Sequence, residues 1–159
     1  MPVRTRFVLD VHLEKLARHL RMVGVDAVLP EDAESTEDSK LLAIAQEEGR
    51  VLLTRDRALH DRGPAELRYY VQGTDPREQL REVAERFALW DFIRSHKGFL
   101  TRCLQCNTMI LPVKATLLAD RVPTHVREEH SEFFLCPRCE RVYWNGSHVE
   151  RMKKWIDGL

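Results

Sequence analysis

Two kinds of residue in this sequence are spaced for chemistry. Cys103-Leu104-Gln105-Cys106 and Cys136-Pro137-Arg138-Cys139 are two Cys-x-x-Cys pairs separated by 29 residues. Each pair can turn two thiolates toward one ion, and two pairs complete a tetrahedral four-sulfur Zn²⁺ site. With every ligand position filled by Cys, such a site is closed and structural, and His125, His130 and His148 are not needed as ligands. The interval exceeds the roughly 15–20 residues of the commonest two-pair pattern. It therefore predicts an inserted turn or short helix around Lys114 to Asp120, between strands at Ile110–Val113 and Phe133–Leu135. Redox dithiols or separately buried thiols are the alternatives.

The second kind is acidic. Asp10 ends the apolar run Phe7-Val8-Leu9, Asp56 follows Val51-Leu52-Leu53-Thr54-Arg55, and Asp75 follows the run Leu67 to Val71. Asp38 falls near the start of a helix. Acids that converge repel one another unless a cation joins them, and the usual cation for a carboxylate set is Mg²⁺ or Mn²⁺. Such a metal can activate water and stabilise the charge building on a phosphoryl group. In the alternative each acid is employed separately: Asp10 caps a helix at Leu13, Asp38 complements a helix dipole, and Asp56 pairs with Arg55 or Arg57.

The elements that must position these residues alternate between strand and helix. Strands are expected at Arg6–Asp10, Val25–Leu29, Val51–Thr54 and Leu67–Val71. A first helix buries Leu13, Leu16, Ala17, Leu20 and Val23 and stops at Gly24. After the acidic connection Glu31 to Asp38, with Ser35 or Thr36 as cap, a second helix carries Leu41, Leu42, Ile44 and Ala45 to Gly49. A third, about Arg77 to Leu89, buries Leu80, Val83, Ala84 and Phe87. That order predicts an α/β fold, a parallel sheet with helices on both faces. Ligands of such sheets bind at the carboxyl ends of the strands, where Asp10, Asp56 and Asp75 fall, and Asp38 is expected at the same edge, so that four acids could converge.

The 159 residues carry 25 basic and 25 acidic side chains, and the balance hides a division. Residues 1–96 hold 15 basic and 18 acidic groups, and residues 97–159 hold 10 and 7 together with all four cysteines. Two domains are expected, an α/β domain over 1–96 and a zinc-ribbon domain over 97–159. No apolar run exceeds the five residues Leu41 to Ala45, far short of the about 20 a membrane span requires. Arg4 and Arg6 precede only three apolar residues before Asp10, which is not a signal-peptide pattern. Unpaired-looking thiols without an export signal suit a cytoplasmic protein.

Basic residues accompany the acids. Lys15, Arg18 and Arg21, with His19, lie off the apolar face of the first helix, as a phosphate-contacting ridge or a solvated face. Arg55 and Arg57 bracket Asp56, where guanidinium can clamp phosphate or pair with the acids. His12 is expected to begin a helix, and His60 to be solvated. Tyr143 and Trp144 either stack on unpaired bases, with Arg141, Arg151, Lys153 and Lys154 on phosphates, or pack the ribbon.

Asp10, Leu16-Ala17-Arg18-His19-Leu20-Arg21, Gly24, Asp26, Leu53-Thr54-Arg55-Asp56, Gln79-Leu80, the cysteine pairs and Tyr143-Trp144-Asn145-Gly146-Ser147-His148 occur in order. In this the chain resembles the PIN-like ribonuclease family named for the carboxy-terminal domain of the Mut-seven exonuclease, over roughly Arg6 to Met152. The resemblance implies a PIN-like parallel sheet followed by a zinc ribbon. It also implies a divalent-metal nuclease with Asp10, Asp38 and Asp56 as metal-binding acids. Glu37 stands beside Asp38 as the other candidate for the middle position. Asp75 is the expected fourth acid, with Asp61 the alternative.

The expected function is hydrolysis of RNA, single-stranded, with Mg²⁺ or Mn²⁺ activating water and Lys15, Arg18, Arg21 and Arg55 holding the backbone. The rival is an RNA- or ribosome-binding protein that keeps the fold without turnover. A phosphate-accepting receiver is set aside, because it needs a lysine at a later strand end and none lies between Lys40 and Lys97.

Overall fold

A computed structural model describes residues 5–30, 37–118 and 120–159, except for the side chain of Glu37. Glu31, Asp32, Glu34, Ser35 and Thr36, read above as an acidic connection and a helix cap, lie outside the described residues. The chain divides into two compact units, Met1–Asn107 and Thr108–Leu159.

The first unit is built on strands β1 (Phe7–Leu9), β2 (Ala27–Val28), β3 (Val51–Thr54) and β4 (Arg68–Tyr70). They form a four-stranded sheet in the order β2-β1-β3-β4, and every pairing is parallel. The expected fold class is therefore observed. Between the strands run α1 (Glu14–Met22), entered through a 3-10 turn at Val11–Leu13, α2 (Glu37–Glu48) and α3 (Arg57–Arg62). After β4 come α4 (Pro76–Arg86) and α5 (Trp90–Ser95).

Side chains alternate across a strand, so β1 and β3 send successive residues to opposite faces. Val8 and Leu52 pack with Leu41 and Ala45 of α2 and Leu59 of α3. Phe7 points the other way, where its ring meets Phe87 edge-on at 5.1 Å, just beyond α4. Phe87 also meets Tyr69 at 5.6 Å. On that side α1 packs against α4, burying Leu16, Ala17 and Leu20 beside Leu80, Val83 and Ala84. Helices thus cover both faces, which is why these strands read as continuous apolar runs.

Residues 97–107, expected with the second domain, group by their contacts with the first unit. Long-range contacts hold them there. Leu100 N donates to Met22 O. Asn107 accepts from Ala27 N at 3.1 Å and donates to Asp26 at 2.7 Å. Gly24 lies at φ +95°, and a Cβ there would run into the backbone of Gly98. Glycine is needed at that position both for its backbone conformation and for the close approach.

The second unit carries a three-stranded antiparallel sheet, β5 (Leu111–Val113), β6 (Phe133–Leu135) and β7 (Val142–Trp144), in that order. The expected insertion is a 3-10 turn at Ala115–Leu118, followed by α6 (Thr124–Glu129). Leu118, Val122 and Phe133 form the centre of its core, with Trp144 packed on Phe133 at 6.3 Å between rings. Trp144 thus packs the ribbon from within. The chain ends in α7 (Ser147–Asp157), with Val149 and Ile156 buried; Arg151, Lys153 and Lys154 ride on it. Among the described residues no helix is long and apolar enough to cross a membrane.

Candidate active site and cysteine cluster

At the carboxyl edge of the parallel sheet lies a cleft of roughly 310 Å³ lined by Asp10, His12, Leu13, Arg55, Asp56, Thr74 and Gln79. Asp10 leaves β1 and Asp56 leaves β3, the central pair of strands, so parallel pairing delivers both acids to one edge. The fully buried Thr54 joins them. Its hydroxyl donates to Asp10 Oδ2 at 3.3 Å and accepts from Asp56 N at 2.9 Å.

Both acids also cap helices. Asp10 Oδ1 accepts from His12 N at 3.3 Å, and Asp56 Oδ1 accepts from Leu59 N at 3.1 Å. Among the described residues, neither carboxylate has an ion-pair partner. Asp56 therefore does not pair with Arg55 or Arg57. Arg57 instead stacks on Tyr70, 3.9 Å from the ring centre. Asp10 is only 7% exposed, whereas Asp56 is open to solvent.

Thr74 ends the strap Val71–Thr74 that follows β4, and this strap is held from two sides. Arg55 Nη1 donates to the carbonyls of Val71, Gln72 and Gly73 at 2.7, 2.6 and 3.0 Å. Glu82 accepts from Gln72 N at 2.9 Å, Gly73 N at 2.8 Å and the Tyr69 hydroxyl at 2.7 Å. Burial, then the hydrogen bond to Glu82 and its charge, push the Tyr69 phenol up to about 12. Gln79 Nε2 donates to Gly73 O at 2.9 Å. Arg55, expected to hold a phosphate, thus spends one nitrogen on the strap. Thr54, Gln79 and Glu82 received no role from sequence, although Thr54 and Gln79 stand within the quoted motifs.

The remaining candidates spread outward. Asp38, half exposed at the start of α2, lies 3.7 Å from Arg62 and is not among the cleft-lining residues. Asp75 caps α4 by accepting from Glu78 N at 3.3 Å, and Thr74 rather than Asp75 lines the cleft. Asp61 is exposed beside His60 at 3.2 Å. Lys15 and Arg18 lie on the exposed side of α1. Burial, then the neighbouring Arg18, hold His19 below its ordinary pKa, while Asp75 and the Pro76 backbone oppose them.

Arg21 departs from the expected phosphate ridge. It is 3% exposed and donates to Ala27 O at 2.8 Å, Leu104 O at 3.0 Å and Gln105 O at 3.1 Å. Its guanidinium ties the chain's own backbone together. His12 lies within the 3-10 turn that leads into α1, near the helix start as expected, and also lines the cleft.

Two metals were implied by the sequence. Cys103, Cys106, Cys136 and Cys139 bring one sulfur each to within 4.8 Å of one another. Zinc–sulfur bonds of about 2.3 Å place tetrahedral sulfurs about 3.8 Å apart, so this donor set fits Zn²⁺. It is a candidate zinc site compatible with a zinc ribbon. Among the described residues it is also the only group of three or more potential ligands so gathered. Asp10, Asp38, Asp56 and Asp75 do not close into a four-acid cage. The two cleft acids suit a different arrangement, since Mg²⁺ keeps several waters and takes one or two carboxylates plus substrate phosphate.

The chain matches the family described as Mut7-C RNAse domain over residues 5–156. No curated protein and no solved structure matches it significantly.

Proposed function

The chain belongs to the Mut7-C RNAse domain family, and from that premise we propose that it is a divalent-metal-dependent ribonuclease hydrolysing RNA phosphodiesters at the sheet-edge cleft. One observation carries this reading. Asp10 and Asp56 leave adjacent parallel strands, share the Thr54 hydroxyl and line one cleft with Arg55, yet neither is in an ion pair among the described residues. Two carboxylates in that setting repel each other, and a hard cation relieves the repulsion.

Mg²⁺ or Mn²⁺ would sit against Asp10 and Asp56, supplying a Lewis acid and an activated water. Thr54 holds one oxygen of Asp10 and the backbone of Asp56, fixing the spacing of the two acids. Asp38 and Asp75 act at longer range, as acids of neighbouring helix starts. Lys15 and Arg18, on the exposed side of α1, contact the RNA backbone, and Arg55, which lines the cleft, positions the strap Val71–Thr74. Open access suits a single strand, and reduced thiolates holding Zn²⁺ suit the cytoplasm. The zinc ribbon, with Tyr143 and the basic residues of α7, assists substrate binding.

The test is cleavage of a mixed RNA panel by purified protein across a Mn²⁺ and Mg²⁺ titration, with contaminating nuclease excluded by an inactive variant purified in parallel. Cleavage should rise with metal and vanish on chelation. Elemental analysis should separately find Zn²⁺ in the wild type and not in Cys136→Ser.

One observation favours a second reading, RNA or ribosome binding without turnover. Asp10, Asp56 and Asp75 each cap a turn or helix, a structural role that needs no metal. Metal-independent RNA affinity without cleavage would select it.

A further inference from the structure

The residues that line the cleft are chemically of two kinds. Beside the carboxylates of Asp10 and Asp56 and the guanidinium of Arg55, its lining includes two neutral hydrogen-bonding groups, Thr74 and Gln79. Gln79 is 5% exposed and sits in the first turn of α4. Only its nitrogen can donate to the carbonyl of Gly73, so the 2.9 Å contact fixes which way the amide faces. Its Oε1 accepts no hydrogen bond from a described residue, and it is not among the sealed polar atoms that lack one. Because Gln79 lines the cleft, that oxygen is available as an acceptor for an occupant. Gly73 is itself held by Arg55 Nη1 and by Glu82, so the amide rests on a clamped support.

Whatever Arg55 offers a phosphate elsewhere in the cleft, a fixed acceptor such as Gln79 Oε1 is a poor partner for phosphate, whose oxygens accept and do not donate. It is a good partner for a hydroxyl, which does both. In a nucleic acid the group of that kind near a scissile phosphate is the ribose 2′-hydroxyl, the feature that separates RNA from DNA.

We propose that Gln79 Oε1, with the Thr74 hydroxyl, receives the ribose 2′-hydroxyl next to the cleaved linkage and makes the cleft selective for RNA. This rests on the ribonuclease reading of the cleft and adds a specificity-determining pair to it. Gln79 touches the sugar and takes no part in activating water. A site built to hydrogen-bond a substrate hydroxyl rejects the analogue that lacks it, because its own polar group is left unpaired.

The experiment compares an RNA strand with the same strand carrying one 2′-deoxyribose, moved along the chain past the cleaved linkage, in Mn²⁺. Wild type should cut the all-ribose linkage at least about tenfold faster at one sugar position, the worth of one well-placed hydrogen bond. Thr74→Val changes an exposed side chain of the same shape and should narrow that ratio severalfold. Gln79→Met should bring it close to one, with the melting curve confirming the fold.

The proposal is overturned if wild type is indifferent to the deoxy substitution. It is also overturned if both variants slow cleavage of the two strands equally, the result expected if Gln79 orients water or merely supports the strap. The same pair of strands is titrated for binding in Ca²⁺. A protein that binds but never cuts fails the ribonuclease reading, while its binding ratio still confirms or overturns the hydroxyl contact.

Discussion

The two edges of the parallel sheet handle acidic charge in opposite ways. At the amino edge, just before β2, Asp26 meets Arg50 at 2.7 Å and the Asn107 amide at 2.7 Å, with Arg102 4.0 Å away. Arg50 extends the network to Glu48 at 2.9 Å and to Phe7 O at 3.2 Å. Every charge there has an opposite. At the carboxyl edge Asp10 and Asp56 accept from backbone N–H groups and from one hydroxyl, and they face an open cleft. Matched charge at the first edge stabilises the fold. At the second edge neither carboxylate has an ion-pair partner among the described residues, and under the proposed function a cation supplies the missing opposite charge.

Neutralising the carboxyl edge should have the largest effect. Asp10→Asn or Asp56→Asn keeps a capping oxygen but halves the metal's carboxylates, and should lower single-turnover cleavage at least about a hundredfold. The melting temperature of either variant should stay within a few degrees of the parent, because the caps survive. A large loss of stability together with activity would erase the contrast between the edges.

Asp26→Asn should do the reverse. Breaking the pair with Arg50 should cost about 2 kcal/mol in urea unfolding, below the full value for a sealed pair because Asp26 is partly open. Cleavage per folded molecule should be retained. Burial alone would raise the Asp26 pKa, but hydrogen bonds from Arg50 and Asn107 and the charges of Arg50 and Arg102 hold it below its ordinary value. A depressed folded pKa contributes stability that is complete above the unfolded value, near pH 4, and is lost as pH falls through the folded value. Wild type should therefore lose stability on acidification below about pH 4 by a component that Asp26→Asn lacks, as followed by urea midpoints.

The basic residues of α1 sharpen the comparison on a smaller scale. Arg18→Ala should weaken RNA binding about fivefold and flatten its salt dependence, with stability unchanged. Arg21→Ala, three positions on, should instead lower the melting temperature, since it abandons three backbone carbonyls. Smallest of all, Asp38→Asn and Asp75→Asn should reduce cleavage only about threefold, being outside the cleft lining and acting through weakly screened distance. A loss as great as that of Asp10→Asn would bring either residue into the metal site.

The sheet and its acids were legible because apolar runs ending in Asp are visible in one dimension. Phe7-Val8-Leu9-Asp10 and Val51 to Asp56 announce both the buried strands and the edge at which ligands gather. The cysteine pairs were legible for a similar reason, since both members of each pair are local. What depends on distant residues was not legible. Helical spacing puts Lys15, Arg18 and Arg21 together, but whether the chain at Leu104–Gln105 returns to cover Arg21 is decided by tertiary packing.

The contacts that group residues 97–107 with the first unit were hidden for the same reason, because Asn107 bonds to Asp26 and Ala27 across the chain. Short α3 and α5 carry too few residues for a periodic signal, and the cap of α3 is Asp56 itself, which chemistry had already claimed. The hydrophobic pattern of α7 was obscured by the basic residues Arg151, Lys153 and Lys154.

The central claim, that Asp10 and Asp56 hold a catalytic cation, is met most directly by anomalous diffraction from crystals soaked in Mn²⁺. The account predicts a manganese peak in the cleft, bonded to carboxylate oxygens of both residues and absent from Asp10→Asn crystals. A protein that cleaves RNA in Mn²⁺ while its crystals show manganese elsewhere, and none between those two acids, would contradict it.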